Sequence, residues 1–493
     1  MKRSAGILMS ITSLPSPYGI GTIGKAAYEF ADFLKEAGQK IWQILPVGQT
    51  SYGDSPYQSF SSFAGNPYMI DLDVLRDEGL LFEDEYNCLP WQESDEKVNY
   101  GAIYYYRYPV LRKAYKRFLN GDLSDFHRFC DQNNHIWLDD YAMYMSVKAY
   151  FDNRSWTDWD DSGIRMRKPT SMAYYSNKLG EDIGFWKFVQ YEFFKQWTKF
   201  KKYVNSLGIK ILGDMPIYVA MDSADTWANP QIFQLDQNLK PTNVAGCPPD
   251  YFSKTGQLWG NPLYRWDYLK EQGYEWWFRR LKSASQLFDI TRIDHFRAFD
   301  AYYSIPYPAE NAINGKWVEG PGLDFFIKMR EKLGNIEIVA EDLGTLTPSV
   351  YKLMADVGYP GMKILEFAFG SGDDNPYLPH NYNNNCIVYT GTHDNDTVLG
   401  WEKTAPDHEL MHAYNYLKPY EGEKLSWAMI KTAYKSKADY AIIQMQDFLN
   451  LGSEARMNTP STLGCNWAWR VKRSDITHRL AGSIRQLVNQ SGR

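Results

Sequence analysis

Eight short apolar runs, most of them rich in β-branched residues, recur along this 493-residue chain and limit its folds more than any other feature. AGILMSI starts at Ala5 and KIWQILPV at Lys40; IKILGD, FDITRID and IEIVAED end at Asp214, Asp294 and Asp342; MKILEFAF, CIVYTGT and YAIIQMQDFL begin at Met362, Cys386 and Tyr440. Runs this short and continuous suit strands buried on both faces, as in a parallel sheet, and helix-compatible polar stretches separate most of them. That alternation predicts an α/β chain folded as a (β/α)8 TIM barrel, in which side chains at the C-terminal ends of the strands face a common mouth.

Spacing supports the same reading, because an undecorated barrel allots about 30 residues to each βα unit. The 53 residues from Glu341 to Asp394 span one intermediate strand and match two units, while the 47 from Asp294 to Glu341 match one unit with an inserted loop. From Trp42 to Asp214 the interval is far too long for one unit, so an inserted subdomain is expected over about 51–200. Within it, NYGAIYYYRYPVLRKAYKRFL and FWKFVQYEFFKQWTKF carry apolar residues at helical spacing, and their aromatic stripes read as packing surfaces. A second insertion is expected over about 225–286; its segment 246–264, GCPPDYFSKTGQLWGNPLY, is rich in Gly and Pro and reads as a loop. The chain is thus predicted to be one barrel over 1–493 with large, mainly helical, inserted subdomains.

Composition excludes several classes. A net charge of −6 without a basic face argues against nucleic acid as a partner. No run approaches the eighteen apolar residues of a membrane span. The opening MKRSAGILMSITSLPS has the basic start of a leader peptide, but Ser10, Thr12 and Ser13 interrupt its apolar stretch, so it reads as a first strand. Five scattered cysteines, odd in number and without a CxxC pair, suit a reducing cytoplasm rather than a disulfide framework or a zinc site. Any single one of the 37 Tyr, 25 Phe and 17 Trp reads as core, but as a population they suit a glycan groove, because flat C–H-rich sugar faces pack well on such rings.

Four segments following apolar runs carry the chemistry: ILGDMPIYV with Asp214, TRIDHFRA with Arg292 and Asp294, EIVAEDLG with Glu341 and Asp342, and IVYTGTHDND with His393 and Asp394. Carboxylates collected at one barrel mouth suit glycosidic chemistry. Arg292 and Asp294, two apart on a strand, point to one side, and the cation is expected to lower the pKa of Asp294, as a nucleophile requires. A Glu in an apolar setting keeps its proton and can protonate a departing glycosidic oxygen, but spacing leaves open whether Glu341 or Asp342 does so. Structural ion pairs are the alternative for both segments. The cluster of His393, Asp394 and Asp396 lacks the ligand set of a catalytic zinc and the spacing of a calcium loop, so His393 and Asp394 read as partners of sugar hydroxyls. No GxSxG, Walker or dinucleotide motif is present.

In this order the four segments resemble those of the amylomaltase family, the 4-α-glucanotransferases or disproportionating enzymes of the α-amylase clan. SITSLPSPYGIGTIG, SYGDSPYQSFSSFAGNPYMIDLD, PPDYFSKTGQLWGNPLY and LGSEARMNTPSTLGCNWAWR extend the resemblance over nearly the whole chain. It implies a retaining transfer of α-1,4-glucan segments between maltooligosaccharide, amylose or glycogen-type chains, with no cofactor and no metal. It further implies Asp294 as nucleophile, Glu341 as general acid/base and Asp394 as stabiliser of the transition state. Arg292 would support Asp294, and Asp214 and His393 would position the sugar at the cleaved bond. Ser55 and Tyr57 match groove positions, and Gln257 and Trp259 match a flexible covering loop. The chain departs from the family pattern at Cys247, where Val is expected, and at Ser461–Cys465, where a Gly-rich stretch is usual. A hydrolase using the same three acids and a silent glucan-binding protein are the rival readings.

Overall fold

A computed structural model describes residues 3–51, 53–249, 253–344 and 346–493. Each of the eight apolar runs forms one strand of a single parallel sheet: β1 (Ser4–Leu8), β2 (Ile41–Gln43), β3 (Lys210–Met215), β4 (Ile290–Ile293), β5 (Ile338–Ala340), β6 (Gly361–Ile364), β7 (Cys386–Tyr389) and β8 (Tyr440–Gln444). Hydrogen bonds join them in the order β6, β7, β8, β1, β2, β3, β4, β5, so strands adjacent in this numbering are adjacent in space. The seam between β5 and β6 is drawn together by Ala340 N–H donating to Pro360 O at 3.0 Å and by Met362 N–H donating to the Asp342 carboxylate at 2.6 Å. One acidic side chain thereby replaces a ladder bond where the barrel closes. The TIM barrel read from the apolar runs is the observed fold.

Burial on both faces explains the continuous apolar runs, since Ile7, Ala441, Ile442 and Ile443 are fully enclosed. The helix Lys25–Glu36 buries Ala26, Ala27, Phe30, Ala31, Phe33 and Leu34, a stripe at spacings of three and four, and sets Phe30 4.9 Å from the ring of Trp42 in β2.

Between β2 and β3 the chain forms the helices Tyr100–Phe118, Ser124–Asn133, Asp139–Tyr150, Pro169–Lys178 and Gly180–Ser206. The last runs straight through residue 200, where the sequence reading ended the insert. Its Phe188 packs at 4.8 Å on Phe118 of the inserted helices, whereas its Trp197 and Phe200 meet Phe288 and Trp42 of the barrel at 6.3 and 5.6 Å. A single 27-residue helix thus belongs to both, because its aromatic stripe is long enough to cover two cores.

The segment read as a loop departs from that reading. Gln257–Pro262 is a strand, antiparallel to Asn243–Cys247, and with Ala301–Pro306 and Lys316–Glu319 it forms a four-stranded sheet beside the barrel mouth. One of its glycines serves close approach rather than turning: a β-carbon on Gly246 would lie 2.1 Å from Gln257 O. Asp250, Tyr251 and Phe252, within the expected loop, lie outside the described residues. No described helix is long and apolar enough to cross a membrane.

Candidate active site

Asp214 lies in β3, Arg292 in β4, Asp294 immediately after β4 and Glu341 immediately after β5, so the barrel alone carries four charged groups to its C-terminal mouth. Arg292 Nη1 donates to both carboxylate oxygens of Asp214, at 2.8 and 2.7 Å, and to Asp294 Oδ1 at 3.0 Å. One buried cation therefore tethers two acids. Burial works against the charge of Arg292, but the two carboxylates outweigh it and hold its pKa raised.

Tyr57, from the segment after β2, adds a second connection. Its hydroxyl donates to Asp214 Oδ2 at 2.8 Å and lies 2.9 Å from His393 Nε2. The hydroxyl has only one proton and Asp214 takes it, so His393 Nε2–H is the donor in the second bond. The Tyr57 and His393 rings stack at 5.2 Å, with Trp467 5.7 and 5.9 Å from them. Ser55 stands one step further out: its Oγ accepts the Tyr57 N–H at 3.2 Å and shapes the turn that delivers Tyr57.

Asp394 is held mainly by residues that sequence reasoning missed. Asn458 Nδ2 donates to Asp394 Oδ1 at 2.6 Å, Asn458 N–H to His393 O at 3.0 Å, and Arg456 Nη2 to Asp394 O at 2.7 Å. These residues lie in a stretch quoted for its family likeness, LGSEARMNTPSTLGCNWAWR, but neither spacing nor charge marks them as partners of an acid 64 positions earlier. Asp396 faces elsewhere, accepting from Thr397 N–H and Ser453 Oγ. Among the described residues no group of three His, Cys, Asp or Glu side chains is placed to hold a metal.

Glu341 and Asp342 part company. Oε2 of Glu341 accepts His295 N–H and Oε1 accepts Leu343 N–H, each at 2.7 Å, while Asp342 turns to the barrel seam. Their hydrogen bonds go to backbone N–H groups rather than to cations, so the ion-pair alternative does not describe this segment. Burial is the main cause raising Glu341 to about 7; Arg292 opposes it and the charge of Asp294 adds to it.

Asp294 overturns one expectation. Its pKa is raised to about 6, by burial first, with Asp214 and Asp394 adding and Arg292 opposing. Arg292 does pull it down, but the same Nη1 also serves Asp214, and desolvation together with the two neighbouring carboxylates outweighs the cation.

The second sheet reaches the acids through one ring. Trp259 Nε1 donates to Gln257 Oε1 at 3.0 Å, and the Trp259 ring meets His295 edge-on at 4.8 Å. His295 is left-handed at φ +53°, which aims its N–H at Glu341 while its ring lies under Trp259. Burial, then the charge of Arg297, holds His295 neutral with its pKa lowered to about 3. The two departures lie aside from the acids: Cys247 pairs with Gln257 in the second sheet, and Ser461–Cys465 forms an exposed turn before Trp467.

A family model described as 4-alpha-glucanotransferase matches residues 9–476. The chain belongs to that family. The 4-alpha-glucanotransferase of Clostridium butyricum is 53% identical over 487 residues, covering 98% of this chain and 100% of that one. That of Thermus thermophilus is 44% identical over 504 aligned positions, covering 100% and 99%. A solved amylomaltase from Streptococcus agalactiae, in complex with acarbose, superposes with a TM-score of 0.98 at 41% identity, each chain covered fully. This chain is accordingly a glycosyltransferase of the amylomaltase type, as its motifs implied. For a 4-alpha-glucanotransferase, the arrangement offers two acids of unequal proton affinity at the barrel mouth, a third acid held from outside the barrel, and an aromatic wall.

Proposed function

We propose that this 4-alpha-glucanotransferase moves α-1,4-glucan segments between maltooligosaccharide, amylose or glycogen-type chains by a retaining double displacement. Asp294 attacks the anomeric carbon as the Glu341 proton passes to the glycosidic oxygen; the C1–O bond breaks and a β-glucosyl ester forms. Glu341, now ionised, takes the proton of an acceptor 4-hydroxyl, whose oxygen displaces Asp294 and makes a new α-1,4 bond. Asp394 stabilises the charge developing on the sugar, Arg292 keeps Asp294 oriented, and Asp214, His393 and Tyr57 hold the reacting sugar, with Ser55 at the groove. Gln257 and Trp259 shield the ester from water. No step calls for a cofactor or a metal.

One observation carries the reading: Asp294 touches a cation and Glu341 touches none, so the two acids divide into the one that ionises first and the one that keeps its proton. The whole chain acts here as one catalytic barrel, with about 51–200 and about 225–286 as insertions. It works in a reducing cytoplasm, which suits five cysteines among which no disulfide forms in the described residues.

Purified enzyme given maltotriose alone should produce glucose together with maltotetraose and longer chains. Reducing ends released without any chain lengthening would instead identify a hydrolase, and bound maltotriose recovered intact would identify a silent binder.

A further inference from the structure

The barrel's opposite end, where strands begin, holds a cavity of about 640 Å³ bordered by Ser4, Ile41, Ile290, Ile338 and Tyr440. That volume is in the range of small-ligand sites. Five cationic side chains line it, Arg3, Lys40, Lys210, Arg330 and Arg493, and Glu337, which pairs with Lys210, is the one acidic side chain among the described lining residues. In a protein of net charge −6 this is a local reversal of sign.

The arginines there spend their donors on the main chain. Arg3 Nη2 donates to Tyr434 O and Ser436 O at 3.0 and 2.9 Å, and Arg493 Nε and Nη2 donate to the same two oxygens at 2.7 and 3.1 Å. Two guanidinium groups are thus crowded onto shared carbonyls at the end of the helix Leu425–Lys435. Burial first, then the charge of Arg3, lowers the Arg493 pKa to about 10, and Asp439, just before β8, is a nearby acid that opposes them. Arg330 likewise donates to a carbonyl, Val357 O. Tyr359, a lining residue only 7% exposed, lies beside Arg330, whose guanidinium is 5.7 Å from its ring centre. Three arginines held on main-chain carbonyls rather than on carboxylates, with Lys40 beside them around one cavity, favour a compact multivalent anion with several acceptor oxygens.

We infer that this basin binds a phosphate group, supplied either as the free anion or on a small sugar phosphate, at a site remote from the glycosidic chemistry. The inference is independent of the proposed mechanism.

Full-length enzyme is titrated calorimetrically, and by thermal shift, with inorganic phosphate, glucose 1-phosphate, neutral glucose and sodium chloride at matched ionic strength. Saturable binding of the phosphates beyond the chloride and glucose controls is expected. Lys40→Glu and Arg330→Gln should each weaken it at least tenfold while maltotriose disproportionation without phosphate is unchanged. Tighter binding of glucose 1-phosphate identifies a sugar phosphate as the source; equal or tighter binding of inorganic phosphate identifies the free anion. A shift that follows ionic strength alone, an equal shift with glucose, or parental affinity in both variants overturns the proposal.

Discussion

Desolvation raises both acids of the mouth, and Arg292, whose Nη1 is shared between Asp214 and Asp294, opposes that rise. Turnover in the proposed scheme needs Asp294 ionised and Glu341 protonated, so activity rises as pH passes about 6 and falls as it passes about 7. The two limbs belong to the interacting pair. Arg292→Met removes a cation that opposes the rise of both Asp294 and Glu341, so both limbs of the kcat/KM profile should move up; unmoved limbs count against the assignment. Asp294→Asn should cost at least about 10³-fold in transfer with folding intact. Asn458→Ala frees Asp394 Oδ1, and loss of such a charge-assisted bond, about 1.5–3 kcal/mol, should lower kcat roughly tenfold to a hundredfold. Little change in KM is expected if Asp394 acts mainly in the transition state.

Among the elements, the barrel seam and the second sheet are the two joints that matter. Asp342→Ala leaves Met362 N–H buried without its acceptor, so unfolding free energy should fall by about 1–3 kcal/mol in denaturant titration. This acid sits beside Glu341 in the sequence, and an effect on stability without a comparable loss of kcat would separate the roles of the two neighbours. Trp259 tests the other joint. Its ring covers His295, and His295 holds Glu341, so Trp259→Ala should raise the hydrolysed fraction of maltotriose and lower transfer, about tenfold in their ratio. An unchanged ratio would remove the second sheet from the role of a solvent shield.

For the whole molecule, burial makes the acids a source of pH-dependent stability. Asp225, Asp294 and Asp447 are raised to about 6, and Glu192 and Glu341 to about 7, in each case chiefly by burial. A carboxyl with a raised folded-state pKa holds more protons folded than unfolded, so its stabilising effect is complete below about 4 and is lost as pH rises through 6 to 7. His295 acts oppositely, because its lowered pKa favours folding increasingly from about 3 up to its unfolded value near 6.5. Five acids outweigh one imidazole, so the calorimetric Tm should fall between pH 5 and pH 8. A Tm that rises over that interval contradicts the burial assigned to these groups.

What the chain's primary structure determined is periodic or local. Eight apolar runs became eight barrel strands because continuous burial on both faces leaves its pattern in consecutive residues. Asp294, Glu341 and Asp394 stood out because each stands at or just after the end of such a run, and Arg292 because it lies two residues before Asp294 on the same strand. Tertiary structure alone decided what depends on distant segments meeting. It brought Asn458 to Asp394 and Tyr57 between Asp214 and His393, turned Asp342 to the seam and Glu341 to the mouth, and made a strand of the glycine-rich stretch ending at Pro262. It also reversed the expected shift of Asp294, since desolvation and a shared cation are properties of the packed site and have no counterpart in the spacing of two residues on one strand.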